Sequence, residues 1–272
     1  YVMSFTYPKE EAAKAAAQLA QARQQTTPIE DAAATVSSII ASGQIPAALE
    51  MMDQLMVEAV ENFVHAGYPT DAKAVLLAEV TGSSESVADA TASIESIARS
   101  HNATTVRVAT DPDERALLWK GRKSAFGAVA QKAPDYYLHD TVVPRTKLVE
   151  VLTQIYEIGE RYDIDMLNVF HAGDGNLHPL VAFDAKEPGM LEKVMEAATE
   201  MVRVSIEAGG SLSGEHGIGL EKRDLMGLVF NEADLDAQAR IRDAFDPDAA
   251  MNPGKVLPTG SRCFDAAGVR LP

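Results

Sequence analysis

One cysteine, Cys263, is all the chain offers for covalent cross-linking, so no internal disulfide can staple it and a reducing compartment suits it. No apolar run approaches the roughly 20 residues that a membrane helix needs, and Tyr1-Val2-Met3 opens no recognisable signal peptide. Positive charge is scarce too: 24 Lys and Arg stand against 40 Asp and Glu, a net charge of −16 that argues against nucleic acid as a partner. Missing as well is the long Gly-rich strand-turn-helix signature of a nucleotide fold. These absences leave cytoplasmic residence as the expectation, with membrane association only through partner subunits. Against them, 46% hydrophobic residues over 272 positions supply a sizeable core, and nothing in the middle resembles a linker. One large domain, or one domain with appendages, follows.

Hydrophobic periodicity alternates between strand and helix along the chain. Tyr1 to Tyr7 reads as a short strand and Glu10 to Gln25 as an Ala/Gln-rich helix. Pro28-Ile29-Glu30-Asp31-Ala32-Ala33 then repeats the helix start Pro8-Lys9-Glu10-Glu11-Ala12-Ala13. Further helices are expected over 30–41, 53–64, 85–99, 111–131, 145–161, 190–207, 220–229 and 232–245, and strands over 45–51, 74–80, 103–109 and 136–143. Asp111-Pro112-Asp113-Glu114 has a cap residue, a proline at the first helical position and a Glu three residues after the cap. Such interleaving suits an α+β fold: an antiparallel sheet with helices on one face, followed by C-terminal helices.

Two clusters carry the chemistry. In Asn168-Val169-Phe170-His171-Ala172-Gly173-Asp174-Gly175-Asn176-Leu177-His178-Pro179, apolar residues lead into a Gly-Asp-Gly-Asn turn and Leu180-Val181-Ala182-Phe183 leads away, a hairpin-like reversal. The turn brings His171 and His178 together, and neutral imidazoles are good ligands for first-row divalent metals. Two ligands do not make a site, and ordinary polar residues at strand ends would look the same. Asp174 is expected to fix the turn through backbone N–H groups rather than to bind metal. The segment 209–219 holds five glycines in eleven residues, which signals close backbone approach or positive φ. Within it Glu215 and His216 offer a third ligand and a base, whereas a helix C-cap accounts only for Gly209 and Gly210. On the 111–131 helix, Arg122 lies one turn from Leu118 and Phe126 beside an apolar stripe, where a guanidinium needs an anionic partner. The alternative is a surface Arg beside Lys120 and Lys123.

Phe170 to Pro179, Ser213-Gly214-Glu215-His216-Gly217 and Asn252-Pro253-Gly254-Lys255 occur in order, in a chain that also carries Trp119-Lys120-Gly121-Arg122-Lys123 and Pro134-Asp135-Tyr136-Tyr137. Together they resemble the C-terminal half of the FAD-linked D-2-hydroxyacid dehydrogenases and oxidases, nearest to the glycolate oxidase members, from about Ile29 to Cys263. The resemblance implies a ferredoxin-like cap domain that binds substrate and metal over 29–263. An atypical segment over 1–28 would precede it and a tail over 264–272 follow, with the family's N-terminal FAD-binding domain missing from this chain. It implies His171, His178 and Glu215 as metal ligands, Arg122 as the clamp on the substrate carboxylate and Asn176 as a polar substrate contact. His216 becomes the base beside the flavin, and Asn252, Gly254 and Lys255 the segment that approaches FAD. Lys255 is no phosphate-loop lysine, because no glycine lies at the spacing that motif requires. Tyr136, Tyr137 and Asp140, on a strand near the site, suit a core or scaffold role as readily as a contact.

By the same resemblance, the activity is oxidation of a small D-2-hydroxy acid, glycolate or D-lactate, by hydride transfer to FAD. Phe126 and Leu138 are apolar where relatives acting on 2-hydroxyglutarate tend to have polar or basic groups. Two His and one carboxylate leave Zn²⁺, Mn²⁺ and Fe²⁺ open as the metal. The implied partners are an FAD-binding half or subunit, without which the isolated chain would be inactive, and further electron-transfer subunits of second-flavin and iron–sulfur type. Two other classes stay open: a metal-dependent hydrolase, since such a site activates water, and a non-catalytic chain that only binds a partner.

Overall fold

The computed structural model describes residues 2–7 and 28–258; the helix expected over 10–25 and the tail over 264–272 lie outside them. Strand β1 (Val2–Tyr7) is followed by α1 (Pro28–Ala41), β2 (Ala48–Asp53), α2 (Gln54–Val64), β3 (Ala74–Glu79), α3 (Ser84–Ser100) and β4 (Thr105–Val108). These strands lie in the order β4-β1-β3-β2, with every neighbour antiparallel. That is the βαββαβ arrangement of a ferredoxin-like fold, with α2 inserted between β2 and β3. The sheet therefore takes a strand from each side of the boundary expected at residue 28.

The second half extends this sheet from the edge of β2. It comprises α4 (Pro112–Lys123), α5 (Ala125–Val129), β5 (Asp135–Leu138), β6 (Thr141–Val142), α6 (Leu148–Tyr162), β7 (Met166–Phe170), β8 (Asn176–Leu177), β9 (Pro179–Phe183), α7 (Met190–Glu207) and α8 (Glu232–Phe245). β7 and β9 form the expected hairpin, with Leu167 opposite Leu180. β7 joins β2 through Met51 opposite Phe170 and Met52 opposite Val169, completing the order β4-β1-β3-β2-β7-β9-β5. β6 and β8 form a separate two-stranded ribbon.

The α+β class and the antiparallel sheet are as the sequence indicates, but helices cover both faces rather than one. α1, α3, α6 and α7 pack on the layer containing Met51, Leu76 and Phe170; α2, α4 and α5 pack on Met52, Val75, Leu77, Val169 and Leu180. The reason is that β2, β3 and β7 are buried at successive positions instead of alternate ones. Strands of that kind need cover on both sides. Each large side chain so buried contributes about 1.5–3 kcal/mol, so a bare second face would be costly.

Local differences from the sequence reading have local causes. The 111–131 helix begins as expected, with the Asp111 carboxylate accepting from Glu114 N–H at 2.8 Å, but breaks at Ser124 (φ −89°, ψ 0°) into α4 and α5. The 136–143 strand divides because β5 pairs with β9 whereas Thr141 turns away to pair with Leu177. The 220–229 region holds a 3-10 helix over Arg223–Leu228, and Ile45 stays exposed ahead of β2. Among the described residues no helix is long and apolar enough to cross a membrane.

Candidate active site

On β2, β7 and β9, the side chains that face α2, α4 and α5 include Met52, Leu167, Val169 and Leu180. Alternation along each strand carries the same face onward to Glu50, His171 and His178 at one end of the sheet. There the apolar layer gives way to a polar cluster.

Backbone bonds hold the reversal between β7 and β9, including Asp174 N–H to the His171 carbonyl at 3.1 Å and Gly175 N–H to the Ala172 carbonyl at 3.3 Å. The Asp174 side chain is exposed and makes none of these bonds, contrary to the role expected for it. Gly175 is required here. Its φ is +72°, and a Cβ would come 2.2 Å from the Val143 carbonyl oxygen.

Each histidine of the reversal is oriented through its Nδ1. His171 Nδ1 lies 2.8 Å from Glu50 Oε1, and His178 Nδ1 lies 3.2 Å from the His139 carbonyl oxygen. Carboxylate and carbonyl oxygens only accept, so both Nδ1 atoms carry protons and both neutral rings turn a lone pair outward at Nε2. Those Nε2 atoms converge on Glu215 Oε1, 3.7 Å from His171 and 3.1 Å from His178. His178 Nε2 is buried and makes no hydrogen bond, although it sits this close to a carboxylate oxygen. His178 is buried while the Glu215 side chain is half exposed, and the ligand atoms of His171, His178 and Glu215 all lie within 4.8 Å of one another, a group that could hold a metal ion. Burial lowers the His178 pKa. The hydrogen bond to Glu50 raises the His171 pKa.

Arg122 is buried, not a surface side chain, and its anionic partner within the chain is Glu50. Arg122 Nε and Nη2 lie 2.9 and 2.8 Å from Glu50 Oε2. Nη1 is the guanidinium nitrogen left for a further acceptor.

Glu215 and His216 are placed by Asp140. Its carboxylate, fully buried, accepts from Ser213 Oγ at 2.5 Å and from the backbone N–H groups of Gly214, Glu215 and His216 at 3.0 to 3.4 Å. Buried Lys222 adds Nζ at 3.4 Å. Burial pushes the Asp140 pKa up, but the Ser213 and backbone donors together with Lys222 hold it well below the usual carboxylate range. The His216 ring stacks on His178 at 5.1 Å, with its Nε2 3.5 Å from Glu215 Oε1. A Cβ on Gly214 would come 2.5 Å from Asn176 Oδ1, so glycine is what lets the loop lie on β8. Asn176 is buried there with its Oδ1 unpaired. Behind the cluster, burial and Lys222 hold His139 neutral, its pKa pushed down to about 3.

The structure thus brings together His171, His178, Glu215, His216, Asn176 and, through Glu50, Arg122. Asn252, Gly254 and Lys255 stand apart among the described residues. Their turn is held by Arg242 Nη2 on the Asn252 carbonyl, Arg223 on the Gly254 carbonyl and Arg242 Nη1 on the Lys255 carbonyl. It meets the glycine-rich loop where Val256 N–H donates to Gly219 O at 2.8 Å. Sequence reasoning missed Glu50 as a partner of the site and Lys222 altogether, and left Asp140 undecided between scaffold and contact. For Glu50 a signal was present: one carboxylate inside Ala48-Leu49-Glu50-Met51-Met52, a run otherwise apolar.

Residues 9–256 match the family described as FAD linked oxidases, C-terminal domain. The chain is 46% identical over 243 residues to glycolate oxidase subunit GlcD of Escherichia coli K12, covering 89% of this chain and 49% of that protein. To the subunit of the same name from Bacillus subtilis it is 38% identical, covering 86% and 50%. The mitochondrial D-lactate dehydrogenase [cytochrome] of Arabidopsis thaliana is 28% identical, covering 85% and 41%. The chain therefore spans about half the length of the curated relatives it matches. In fold it resembles p-cresol methylhydroxylase with substrate bound, with a TM-score of 0.68 at 11% identity over 94% of this chain and 52% of that one. It also resembles 4-ethylphenol oxidase from Gulosibacter chungangensis, with a TM-score of 0.65 at 17% identity over 95% and 54%. With a family match over nearly the whole described chain and the histidine reversal and glycine-rich loop meeting at one end of its sheet, the protein belongs to the FAD-linked oxidases, as a C-terminal domain of that family.

Proposed function

We propose that this chain is the substrate- and metal-binding part of an FAD-dependent dehydrogenase that oxidises a small D-2-hydroxy acid, glycolate to glyoxylate or D-lactate to pyruvate. The observation that supports it most is the pair of outward Nε2 lone pairs of His171 and His178 converging on Glu215 Oε1, with both Nδ1 atoms already committed. Such a set suits Zn²⁺, Mn²⁺ or Fe²⁺ and leaves coordination positions open. The metal, when bound, supplies the Lewis acidity that lowers the pKa of the substrate hydroxyl. Arg122 binds the substrate carboxylate through Nη1 while Glu50 holds the rest of its fork, and Asn176 offers its unpaired Oδ1 to the substrate. His216 takes the hydroxyl proton at Nε2. A bound flavin supplies the acceptor for the C2 hydride. The turn at Asn252, Gly254 and Lys255 is exposed at Asn252 and Pro253 and tied to Gly219, three residues beyond His216, so it fits a place against the flavin. An FAD-binding half or subunit, and further electron-transfer subunits, complete the enzyme in this reading.

Elemental analysis of the purified chain is expected to find about one divalent ion, with affinity reduced more than tenfold in His171→Ala. Equal metal content in the two proteins would overturn the ligand assignment. Combined with its FAD-binding half, the chain is expected to support dye-coupled oxidation of glycolate or D-lactate, and loss of neither substrate in that assay would overturn the activity.

A further inference from the structure

Glu50 meets neither substrate nor metal in the proposed reading, yet its carboxylate is shared between two residues that do. Oε1 faces His171 Nδ1 at 2.8 Å, and Oε2 receives Arg122 Nε and Nη2 at 2.9 and 2.8 Å. The side chain is 7% exposed and that of Arg122 9%, so water does not compete for these bonds. Its position follows from the sheet. With Met51 opposite Phe170, the next cross-strand pair sets Glu50 beside His171, while α4 delivers Arg122 from above the same face.

We infer that Glu50 is a positioning residue that fixes the proton of His171 on Nδ1 and couples the orientation of that ring to Arg122. The inference rests on the proposed reading of His171 Nε2 as a metal ligand. A carboxylate can only accept, so opposite His171 it demands Nδ1–H and leaves Nε2 bare toward Glu215. Arg122 can only donate, so it claims the other oxygen. A glutamine of the same shape cannot serve both neighbours. Its single oxygen is drawn to the guanidinium, and its amide N–H then points at His171 Nδ1. That nitrogen must become the acceptor, and the ring proton moves to Nε2, where the ligand lone pair was. The charge and the tautomer at this point are therefore set by one side chain on β2, outside both the histidine hairpin and the glycine-rich loop.

Long-range ¹H–¹⁵N spectra of the metal-free full chain, at alkaline pH where the ring is neutral, read the tautomer directly; the His171 signal is identified by its loss in His171→Gln. The wild type is expected to show Nδ1–H and Glu50→Gln to show Nε2–H. Glu50→Gln with Arg122→Met is expected to return to Nδ1–H, because the amide oxygen is then free to face the ring. A purely space-filling role for Glu50 would leave the tautomer unmoved in all three. Nε2–H in the wild type, or Nδ1–H retained in Glu50→Gln, overturns the inference; the wild-type spectrum alone can do so if a variant fails to fold. Titration with Zn²⁺ is a separate arm, in which Glu50→Gln is expected to bind at least tenfold more weakly. Wild-type protein with the Nδ1–H tautomer that takes up no Zn²⁺ would refute the metal reading while supporting the positioning role.

Discussion

Asp140→Asn removes one charge from the floor of the glycine-rich loop and leaves the shape unchanged. The asparagine oxygen can replace one carboxylate oxygen, but the amide N–H groups then confront the backbone donors of Gly214 and Glu215, which are 3.0 and 3.4 Å from Oδ1. Lys222, 2% exposed, keeps its bond to the Asp140 carbonyl but loses its only counter-charge among the described residues. Removing one partner of a buried ion pair costs about 3–5 kcal/mol. The lost charge-assisted hydrogen bonds, about 1.5–3 kcal/mol each, overlap with that figure and do not add to it. A loss of about 3–5 kcal/mol is therefore expected, and at roughly 2–4 °C per kcal/mol for a domain of this size Tm falls by about 6–20 °C. The assay is urea and thermal unfolding followed by circular dichroism. Asp140→Asn combined with Lys222→Met should recover part of the loss, since the stranded cation is gone. The sign with pH is fixed by the depressed folded-state pKa: the contribution is present above the unfolded carboxylate range and is lost as pH falls below about 4, so the two proteins should converge on acidification. A loss under about 1 kcal/mol at neutral pH, or no recovery in the double variant, would refute the reasoning.

Three further outcomes follow from the same geometry. In the reconstituted enzyme Arg122→Lys keeps the charge but loses the planar fork that serves Glu50, so kcat/KM should fall at least tenfold; an undiminished value removes Arg122 from the site. Glycolate or D-lactate should exceed D-2-hydroxyglutarate by about two decades in kcat/KM, roughly 2.7 kcal/mol, because apolar Phe126 and Leu138 offer a second carboxylate no partner; comparable values contradict this. Burial pushes the Asp53 pKa up to about 6 against the hydrogen bonds from Met56, Asn168 and Tyr156, so the folded protein holds that proton where the unfolded chain has lost it. Stability should then fall as pH rises from about 4 to 6, by at most about 1.4 kcal/mol per unit, and Asp53→Asn should flatten that slope in denaturant titrations.

The parts of this molecule legible in the sequence are those whose cause is local. The His171–His178 hairpin shows because apolar runs flank a glycine-rich turn, and the α4 start shows because Asp111 and Pro112 cap it within one turn. Arg122 could be singled out because a guanidinium beside an apolar stripe demands a partner. Which partner it finds is decided by the pairing of β2 with β7, and that pairing joins segments far apart in the chain. Asp140 was left undecided for the same reason: its role comes from Ser213 to His216, which reach it only once the loop has folded back. The second helical layer follows from strands buried on both faces, whose largely apolar runs periodicity alone leaves ambiguous between a buried strand and a short buried helix.

The seam between β2 and β7 also dictates an order of events while the chain is being made. Strand β2 emerges long before its neighbour, so the βαββαβ unit can close with Met51, Met52 and Glu50 still along a raw edge. An apolar edge of that kind invites pairing with another nascent chain. A carboxylate in the middle of it discourages such pairing, because burial there without Arg122 and His171 is penalised. The same glutamate that unites the finished site therefore makes that edge costly to cover with any strand that does not bring a histidine and an arginine beside it.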